Sequence, residues 1–243
     1  METKRGIIMG ASSGLGYCIA EMLLEKGWQL GIAARREELL MPLKEKFPEQ
    51  VVTACIDVNA EDAGRQLLQL TEKLGGIRLY FHVSGIGKQN LPLQQDIEMN
   101  TVETNALGFT RCVTTMYNHM ADNGGGHIAA ISSIAGTKGL GAAPSYSATK
   151  AFQNCYLEAL EQQSSMRRLN IRITDIRPGF IATPLLGEKP TYPMLMKTEN
   201  AAREIVSAVL KEKHVRVLDW RYRILTPLWR LIPRWLWRRL NIR

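Results

Sequence analysis

The chain has 243 residues, of which 45% are hydrophobic and 22% are charged, and its formal net charge is +8. This composition excludes a disordered or low-complexity protein and provides enough apolar residues for the core of one α/β domain. No apolar run approaches the roughly 18 residues of a membrane-spanning helix, and strand-like sequence already begins at Arg5. We therefore expect a cytoplasmic protein.

Apolar runs alternate with helical patterns along the chain. The runs predict strands over Arg5–Met9, Trp28–Ala33, Val51–Ile56, Ile77–Val83, His127–Ile131, Ile171–Ile176 and Val215–Leu218. The patterns predict helices over Gly14–Lys26, Glu37–Phe47, Glu61–Leu74, Met99–Met120, Ser145–Gln163 and Asn200–Lys211. This alternation indicates an α/β fold with a single Rossmann-like, doubly wound parallel sheet of about seven strands and helices on both faces. We assign this domain to residues 1–218 and treat residues 219–243 as an extension.

The four cysteines lie in apolar, periodic sequence, and no two of them form a Cys-x-x-Cys pair. They are Cys18, Cys55, Cys112 and Cys155. Their context predicts small buried hydrophobic residues and no metal or redox site.

A glycine-rich turn joins the first predicted strand to the first predicted helix. Its spacing, G-x-x-x-G-x-G, allows a tight turn, close approach of a pyrophosphate to backbone N–H groups, and close packing of helix on strand. The predicted nucleotide-binding residues of the turn are Gly10, Ser12, Ser13, Gly14, Leu15 and Gly16. A purely structural loop is the alternative interpretation.

The end of the second strand distinguishes between the two nicotinamide nucleotides. An acidic residue there would bind the ribose 2′-hydroxyl of NAD, but this chain has Arg35 and Arg36. Two guanidinium groups suit a 2′-phosphate, so the sequence predicts NADP(H). The alternative is a pair of solvated arginines, one of which pairs with Glu37 or Glu38.

Ser133, Tyr146 and Lys150 form the predicted catalytic set. Tyr146 comes thirteen residues after Ser133, and Lys150 lies four residues further on, on the same face of a helix. An ammonium near a phenol lowers the phenol's pKa from about 10, so Tyr146 could exchange a proton with a carbonyl oxygen during hydride transfer. The Ser133 hydroxyl could hold that oxygen where charge develops.

Together these motifs resemble the short-chain dehydrogenase/reductase family. Its markers stand in the family's order across residues 6–185 as the glycine-rich turn, Asn105, Ser133, Tyr146, Lys150, Pro178, Gly179 and Thr183. The resemblance implies that Tyr146 is the general acid/base and that Ser133 orients the substrate oxygen. It also implies that Lys150 binds the nicotinamide ribose and lowers the Tyr146 pKa. Asn105 would hold a water in a proton relay that reaches Lys150.

On the cofactor side, the resemblance implies contacts with the nicotinamide end from Pro178, Gly179, Ile181 and Thr183. Asp57 and Val58 end the third strand, where the carboxylate would bind the adenine amino group or cap the next helix. Gly85 would let the backbone pass close to the adenosine ribose. The sequence departs from the family at His82 and Val83, where asparagines are usual. This departure questions local rigidity, and His82 is predicted to be a structural histidine.

The segment over residues 184–198 would form a mobile lid above the substrate, as the resemblance implies. Its apolar residues are Leu185, Leu186, Tyr192, Pro193, Met194, Leu195 and Met196, and Leu91, Leu140 and Phe180 are candidates to join them. This lining favours an apolar or lipid-like substrate. Alternatively, these residues only pack the lid on the core.

Residues 219–243 contain seven arginines, one aspartate and four of the five tryptophans, so they carry +6 of the net charge. A helical apolar stripe, interrupted by Pro227 and Pro233, comprises Leu225, Leu228, Trp229, Ile232, Trp235, Leu236 and Leu240. Basic, tryptophan-rich segments of this kind lie in membrane interfaces, which favours peripheral membrane contact. Packing on the body or on a second subunit is the alternative, and no nucleic acid is expected.

The sequence thus predicts an NADP(H)-dependent oxidoreductase that transfers a hydride between nicotinamide and a carbonyl or alcohol substrate. Two alternatives remain: a catalytically silent nucleotide-binding scaffold, and a peripheral membrane module whose main function lies in the tail. The resemblance also implies a homodimer or homotetramer formed through the helices over Met99–Met120 and Ser145–Gln163.

Overall fold

Seven parallel strands form one sheet in the computed structural model, which describes residues 4–184 and 192–242. They are β1 (Arg5–Met9), β2 (Gln29–Ala34), β3 (Val51–Cys55), β4 (Leu79–His82), β5 (Gly126–Ile131), β6 (Ile171–Arg177) and β7 (Val215–Val217). Their order is β3-β2-β1-β4-β5-β6-β7. The chain winds outward in one direction from β1 and in the other from β4, so a crevice opens above the carboxyl ends of these two strands. The predicted doubly wound sheet is confirmed.

Nine α-helices lie in the part of the chain that the structure describes. They are α1 (Gly14–Leu24), α2 (Met41–Lys46), α3 (Ala63–Lys73), α4 (Gln95–Val102), α5 (Phe109–Asp122), α6 (Pro144–Met166), α7 (Thr198–Leu210), α8 (Trp220–Leu231) and α9 (Arg234–Trp237). Two predicted helices differ from the structure. The one over Glu37–Phe47 begins as a 3₁₀ turn, and a proline in the first turn then starts α2. The long helix predicted over Met99–Met120 begins earlier and is divided by a π-helical turn at Glu103–Gly108.

The core has one layer on each face of the sheet. On β1, Ile8 packs into the layer that contains α1 and α7, while Ile7 and Met9 pack into the layer that contains α3, α5 and α6. Successive side chains of a strand point to opposite faces, so a strand that is covered on both faces needs a continuous apolar run. Each fully buried aliphatic side chain stabilises the fold by about 1.5–3 kcal/mol relative to an exposed one.

The cysteines do not all lie in the core. Cys112 is buried and Cys18 is half-buried, but Cys55 and Cys155 are exposed. The prediction of four buried cysteines is therefore wrong for two of them. Cys55 ends the edge strand β3, and Cys155 faces outward from α6, two positions that apolar sequence context does not distinguish from the core.

Candidate active site

The glycine-rich turn brings β1, α1 and the segment after β4 into direct contact. Gly10 has a φ of +97°, and a Cβ at this position would lie 2.7 Å from the backbone nitrogen of Ser84. A Cβ on Gly16 would lie 2.0 Å from the Gly10 carbonyl oxygen. Because neither position admits a side chain, the turn stays close to the sheet and the first N–H groups of α1 face the crevice. This cradle fits the pyrophosphate of a dinucleotide.

The remaining residues of the turn lie at its rim. Ser13 is the exposed N-cap residue of α1, and its hydroxyl makes no capping hydrogen bond. Ser12 and Leu15 are half-buried. A Cβ on Gly14 would lie 3.4 Å from the Thr183 side chain. The turn therefore meets the segment that the sequence assigned to the nicotinamide end.

Arg35 and Arg36 follow β2 directly and are both exposed. Within residues 4–184 and 192–242, neither guanidinium group forms an ion pair. Glu37 instead accepts a hydrogen bond from the Thr53 hydroxyl at 2.9 Å. In the described structure neither arginine pairs with Glu37 or Glu38, and both cations face solvent at the end of β2, so the alternative of two solvated arginines stays open beside the 2′-phosphate site.

Three further predicted cofactor positions follow the ends of β3 and β4. Asp57 accepts a hydrogen bond from the Asn59 backbone N–H at 3.0 Å, which closes a local turn. Because α3 begins only at Ala63, the interpretation of Asp57 as its cap is wrong. Val58 is buried. A Cβ on Gly85 would lie 3.5 Å from the Lys150 ammonium, so the backbone at this position passes close to the catalytic helix.

His82 and Val83, where the sequence departs from the family pattern, both pack into the fold. His82 is buried and its Nδ1 lies 2.8 Å from the Tyr80 hydroxyl. Burial lowers the pKa of His82 to about 3, and the nearby charge of Lys150 acts in the same direction. The imidazole therefore stays neutral at physiological pH, and the structural role of His82 stays a prediction.

Asn105 lies in the π-helical turn between α4 and α5 and is completely buried. Its side-chain oxygen accepts from the Ile86 N–H at 2.9 Å, and its amide group donates to the Ile86 carbonyl at 2.7 Å and to the Thr149 hydroxyl at 3.3 Å. The side chain thus ties the segment after β4 to α6. A π turn in a helix is frequent at functional sites.

Ser133 and Tyr146 face each other across the carboxyl end of β5. The Ser133 hydroxyl accepts from the Ala135 N–H at 3.1 Å and donates to the Pro178 carbonyl at 3.3 Å. Burial raises the pKa of Tyr146, and a hydrogen bond with Ser133 acts in the opposite direction. The phenol is therefore protonated at neutral pH.

Lys150 lies one turn beyond Tyr146 on α6, with its ammonium 5.8 Å from the centre of the tyrosine ring. It donates to the Ile131 carbonyl at 2.9 Å and to Gln153 Oε1 at 2.8 Å. Burial lowers the pKa of Lys150 to about 8, which Asp175 partly offsets. The pKa of Tyr146 is raised overall because the desolvation of the phenol dominates, and a lowering effect of Lys150 stays a prediction.

Two buried polar residues of the site were not predicted from the sequence. Gln153 lies between Lys150 and the Asn105 carbonyl. Asp175 lies on β6, accepts a hydrogen bond from Ser132, and pairs with Arg177 at 2.6 Å. Both left a signal: Tyr146, Lys150 and Gln153 follow an i, i+4, i+7 pattern, and Asp175 interrupts an apolar strand.

The segment at the predicted nicotinamide end is held by backbone contacts. The buried Pro178 carbonyl accepts from the Ile134 N–H at 3.1 Å, and Ile181 pairs with Met196 through a β-bridge. Phe180 stacks on Tyr192 with ring centres 4.6 Å apart. Leu185 and Leu186, the first apolar residues of the predicted lid, lie outside the described residues.

The inner face of α8 covers this segment. The Tyr222 ring packs on Gly179, where a Cβ would lie 2.1 Å from the ring, and its hydroxyl donates to the Pro193 carbonyl at 2.8 Å. Further along the tail, Trp237 Nε1 donates to the Gly139 carbonyl at 2.7 Å. Packing on the body, one of the two interpretations of the tail, thus holds for this face.

A cavity of about 970 Å³ lies between the tail and the segment that links Ser133 to Tyr146. Residues 137–142 and Leu91 line one side, and residues 230–234 with Trp237 line the other. No group of His, Cys, Asp and Glu within the described ranges could hold a metal ion.

Residues 4–192 match the family model described as short chain dehydrogenase. The chain belongs to the short-chain dehydrogenase family. It is therefore an oxidoreductase of that family, as its similarity to curated oxidoreductases also indicates.

The curated relatives of this short-chain dehydrogenase include proteins of similar and of much greater length. It is 27% identical to an oxidoreductase of Myxococcus xanthus, and the match covers 96% of this chain and 94% of the relative. It is 32% identical to a glycine betaine reductase of Emericella nidulans, where the match covers 88% of this chain but only 18% of the relative.

Solved structures share the fold of this short-chain dehydrogenase. A short-chain dehydrogenase of Burkholderia cenocepacia in complex with NADP has a TM-score of 0.84 at 21% identity, covering 100% of this chain and 99% of that one. One of Burkholderia phymatum in complex with NAD has the same TM-score at 17% identity, covering 93% and 92%. These likenesses concern the fold alone.

Proposed function

We propose that this short-chain dehydrogenase is an NADP(H)-dependent oxidoreductase that transfers a hydride between nicotinamide and a carbonyl or alcohol substrate. The observation that carries the proposal is the meeting of Ser133, Tyr146 and Lys150 beside a glycine cradle that no side chain could occupy. A scaffold that only binds a nucleotide has no need of this set.

The bound nicotinamide supplies or accepts the hydride, and the protein supplies the proton and the alignment. The Tyr146 phenol, kept protonated by burial, would give its proton to the substrate oxygen during reduction. The Ser133 hydroxyl would hold the same oxygen. Lys150, held by two acceptors, would keep one N–H for the ribose hydroxyls.

Arg35 and Arg36 support NADP(H) over NAD(H). Both are exposed after β2 without an acidic partner in the described part of the chain, so neither has to give up an ion pair to bind a 2′-phosphate. The buried Ala34 stands where an acidic residue would select NAD. The solved relatives bind either nucleotide, so the choice rests on this chain's own residues.

Fluorescence titrations with NADPH and NADH test the nucleotide preference. We expect tighter binding of NADPH, and we expect the double variant Arg35→Ala/Arg36→Ala to lose NADPH affinity about tenfold or more while keeping its NADH affinity, because hydrogen bonds between charged groups are lost. Arg65→Ala, an exposed arginine of α3, is the matched control. Equal affinity of the unaltered protein for both nucleotides would overturn the preference.

The substrate side favours an apolar carbonyl compound. The cavity beside the Ser133–Tyr146 segment is bordered by Leu91, Leu140 and Trp237, and its lining also includes Lys138 and three arginines of the tail. Consumption of NADPH with a series of aldehydes and ketones of increasing chain length measures this preference. We expect kcat/KM to rise with chain length, and a preference for short polar carbonyls would contradict it.

The outer face of α8 supports peripheral membrane contact as a second function of the tail. Trp220, Ile224, Leu228 and Leu231 follow a helical stripe and are all more than half exposed. The stripe lies within residues 219–243, which carry a net charge of +6. An apolar stripe with this charge around it suits binding to a surface of anionic lipid. No described helix is long and apolar enough to span a bilayer.

Sedimentation with anionic vesicles tests this contact on the full chain. The triple variant Ile224→Gln/Leu228→Gln/Leu231→Gln leaves the inner residues of α8 intact and should abolish binding to phosphatidylserine vesicles. Replacement of three exposed apolar residues elsewhere is the matched control, namely Leu39→Gln/Met41→Gln/Leu210→Gln. Failure of the unaltered protein to sediment with vesicles would reject the membrane function.

Self-association through α6 and the π-helical turn that precedes α5 is supported by apolar side chains that are exposed to solvent. Phe152 of α6 is 40% exposed and stacks on Tyr156, and Leu107 in the preceding π turn is 59% exposed. We propose that these faces pair in a homodimer or homotetramer. Phe152→Glu should then shift the mass measured by light scattering toward that of a monomer.

A further inference from the structure

The Gln153 side chain joins the Asn105 backbone to the Lys150 ammonium. Gln153 Nε2 donates to the Asn105 carbonyl at 2.8 Å, and Lys150 Nζ donates to Gln153 Oε1 at 2.8 Å. All three residues are buried, and Gln153 is only 1% exposed. The amide therefore lies on the line between the two groups that the sequence expected a water to connect.

The two partners determine the orientation of the Gln153 amide. Asn105 offers a carbonyl, which accepts only, and Lys150 offers an ammonium, which donates only. With the amide reversed, its NH₂ group would face the ammonium and its oxygen would face another oxygen. The observed orientation satisfies both contacts, and the reversed one satisfies neither.

We propose that Gln153 is the positioning residue for Lys150. Its amide takes the place of a bridging water and blocks proton transfer from Lys150 to Asn105. A water can accept one proton while it releases another. The Gln153 amide keeps both of its nitrogen protons and transmits none. Proton exchange with Tyr146 and Lys150 would then proceed through the crevice that faces the ligand. Only this catalytic consequence rests on the proposed function; the positioning of Lys150 does not.

The other groups around Lys150 do not replace this contact. The Asp175 carboxylate on β6 favours the ammonium form, but it is already engaged with Arg177 and Ser132. His82 on β4 is neutral because of its burial. The Tyr146 phenol on α6 is also neutral at physiological pH. Besides the Ile131 carbonyl, Gln153 is thus the neutral acceptor that holds the ammonium in place.

The test is an NMR titration of Lys150 in the full chain with isotope-labelled lysine, assigned with the help of Lys150→Met. Gln153→Met fills a similar volume without an acceptor, so the titration midpoint of Lys150 should fall by about one pH unit or more. Gln153→Ala leaves room for a water and should recover part of that shift. Gln162→Met, the same replacement at an exposed position of α6, should leave the midpoint unchanged.

A Lys150 midpoint in Gln153→Met equal to that of the unaltered protein would overturn the proposal. If that variant does not fold, the unaltered protein still gives the answer. The side-chain amide protons of Gln153 must exchange slowly with solvent, and rapid exchange would exclude the bridge. These measurements need no substrate, so they remain informative if the protein proves catalytically silent. Where turnover is found, the alkaline limb of kcat/KM should move to lower pH in Gln153→Met.

Discussion

Helices α6 and α8 depart from the usual distribution of side chains in opposite ways. Helix α6 buries polar side chains, including Lys150 and Gln153, which lie at 4% and 1% exposure. Helix α8 leaves Trp220 and Leu228 at 63% and 53% exposure while its inner face buries Tyr222. Buried polar groups and exposed apolar groups are both unfavourable unless they are satisfied by a partner.

The difference between the two helices lies in where the partner is found. Lys150 and Gln153 of α6 are satisfied within the chain, because Lys150 donates to the Ile131 carbonyl and Gln153 donates to the Asn105 carbonyl. The outer stripe of α8 has no such covering in the described structure. Helix α6 therefore finds partners for these two polar side chains inside the molecule, whereas α8 exposes an apolar stripe, for which we propose contact with a membrane surface.

The largest effect that would test this contrast is on turnover. Tyr146→Phe removes the proposed proton donor and should lower kcat by about 10²–10⁴-fold while NADPH binding is retained, because general acid catalysis is lost. Steady-state kinetics with the best carbonyl substrate measures it. Tyr156→Phe removes a hydroxyl from the same helix, where it pairs with Thr114, and serves as the control. An equal loss in both variants would show that α6 is merely destabilised.

The next effect concerns the inner face of α8. Tyr222→Ala deletes a ring that is 2% exposed and should lower the free energy of unfolding by about 3 kcal/mol. Tyr222→Phe loses only the hydrogen bond to the Pro193 carbonyl and should cost about 1 kcal/mol. Denaturant unfolding followed by tryptophan fluorescence measures both. An unchanged midpoint in Tyr222→Ala would mean that the tail does not pack on the body in solution.

The last effect is the pH dependence that Lys150 gives to stability. Burial lowers its pKa to about 8 from a reference of 10.5. Between these values the unfolded chain holds a proton that the folded protein has lost, so stability rises with pH, by about 2–3 kcal/mol over this range. Burial raises the pKa of Cys112 to about 12, which acts in the opposite direction, so the Lys150 contribution is the difference in unfolding free energy between the unaltered protein and Lys150→Met. Urea unfolding across this window should show this difference growing with pH, whereas Lys73→Met, a change at an exposed position, should follow the unaltered protein.

Much of the site could be predicted because its residues are set by local geometry. Gly10 and Gly16 are required by close contacts within one turn, and Tyr146 and Lys150 share a helical face, so their spacing along the chain carries the information. Gln153 followed the same spacing, but nothing in the chain around it showed that the Asn105 carbonyl lies opposite. The burial that raises the pKa of Tyr146 could not be predicted from the sequence, because burial depends on the whole fold.

The sequence by itself determined the order of strands and helices, the doubly wound sheet and the candidates for the catalytic set. These features follow from periodicity and from contacts between near neighbours in the chain. Only the tertiary structure decided which face of α8 packs on Gly179, which cysteines are exposed, and that Gln153 bridges Asn105 and Lys150. Each of these depends on segments that are far apart in the chain and meet only when the sheet and its covering helices are assembled.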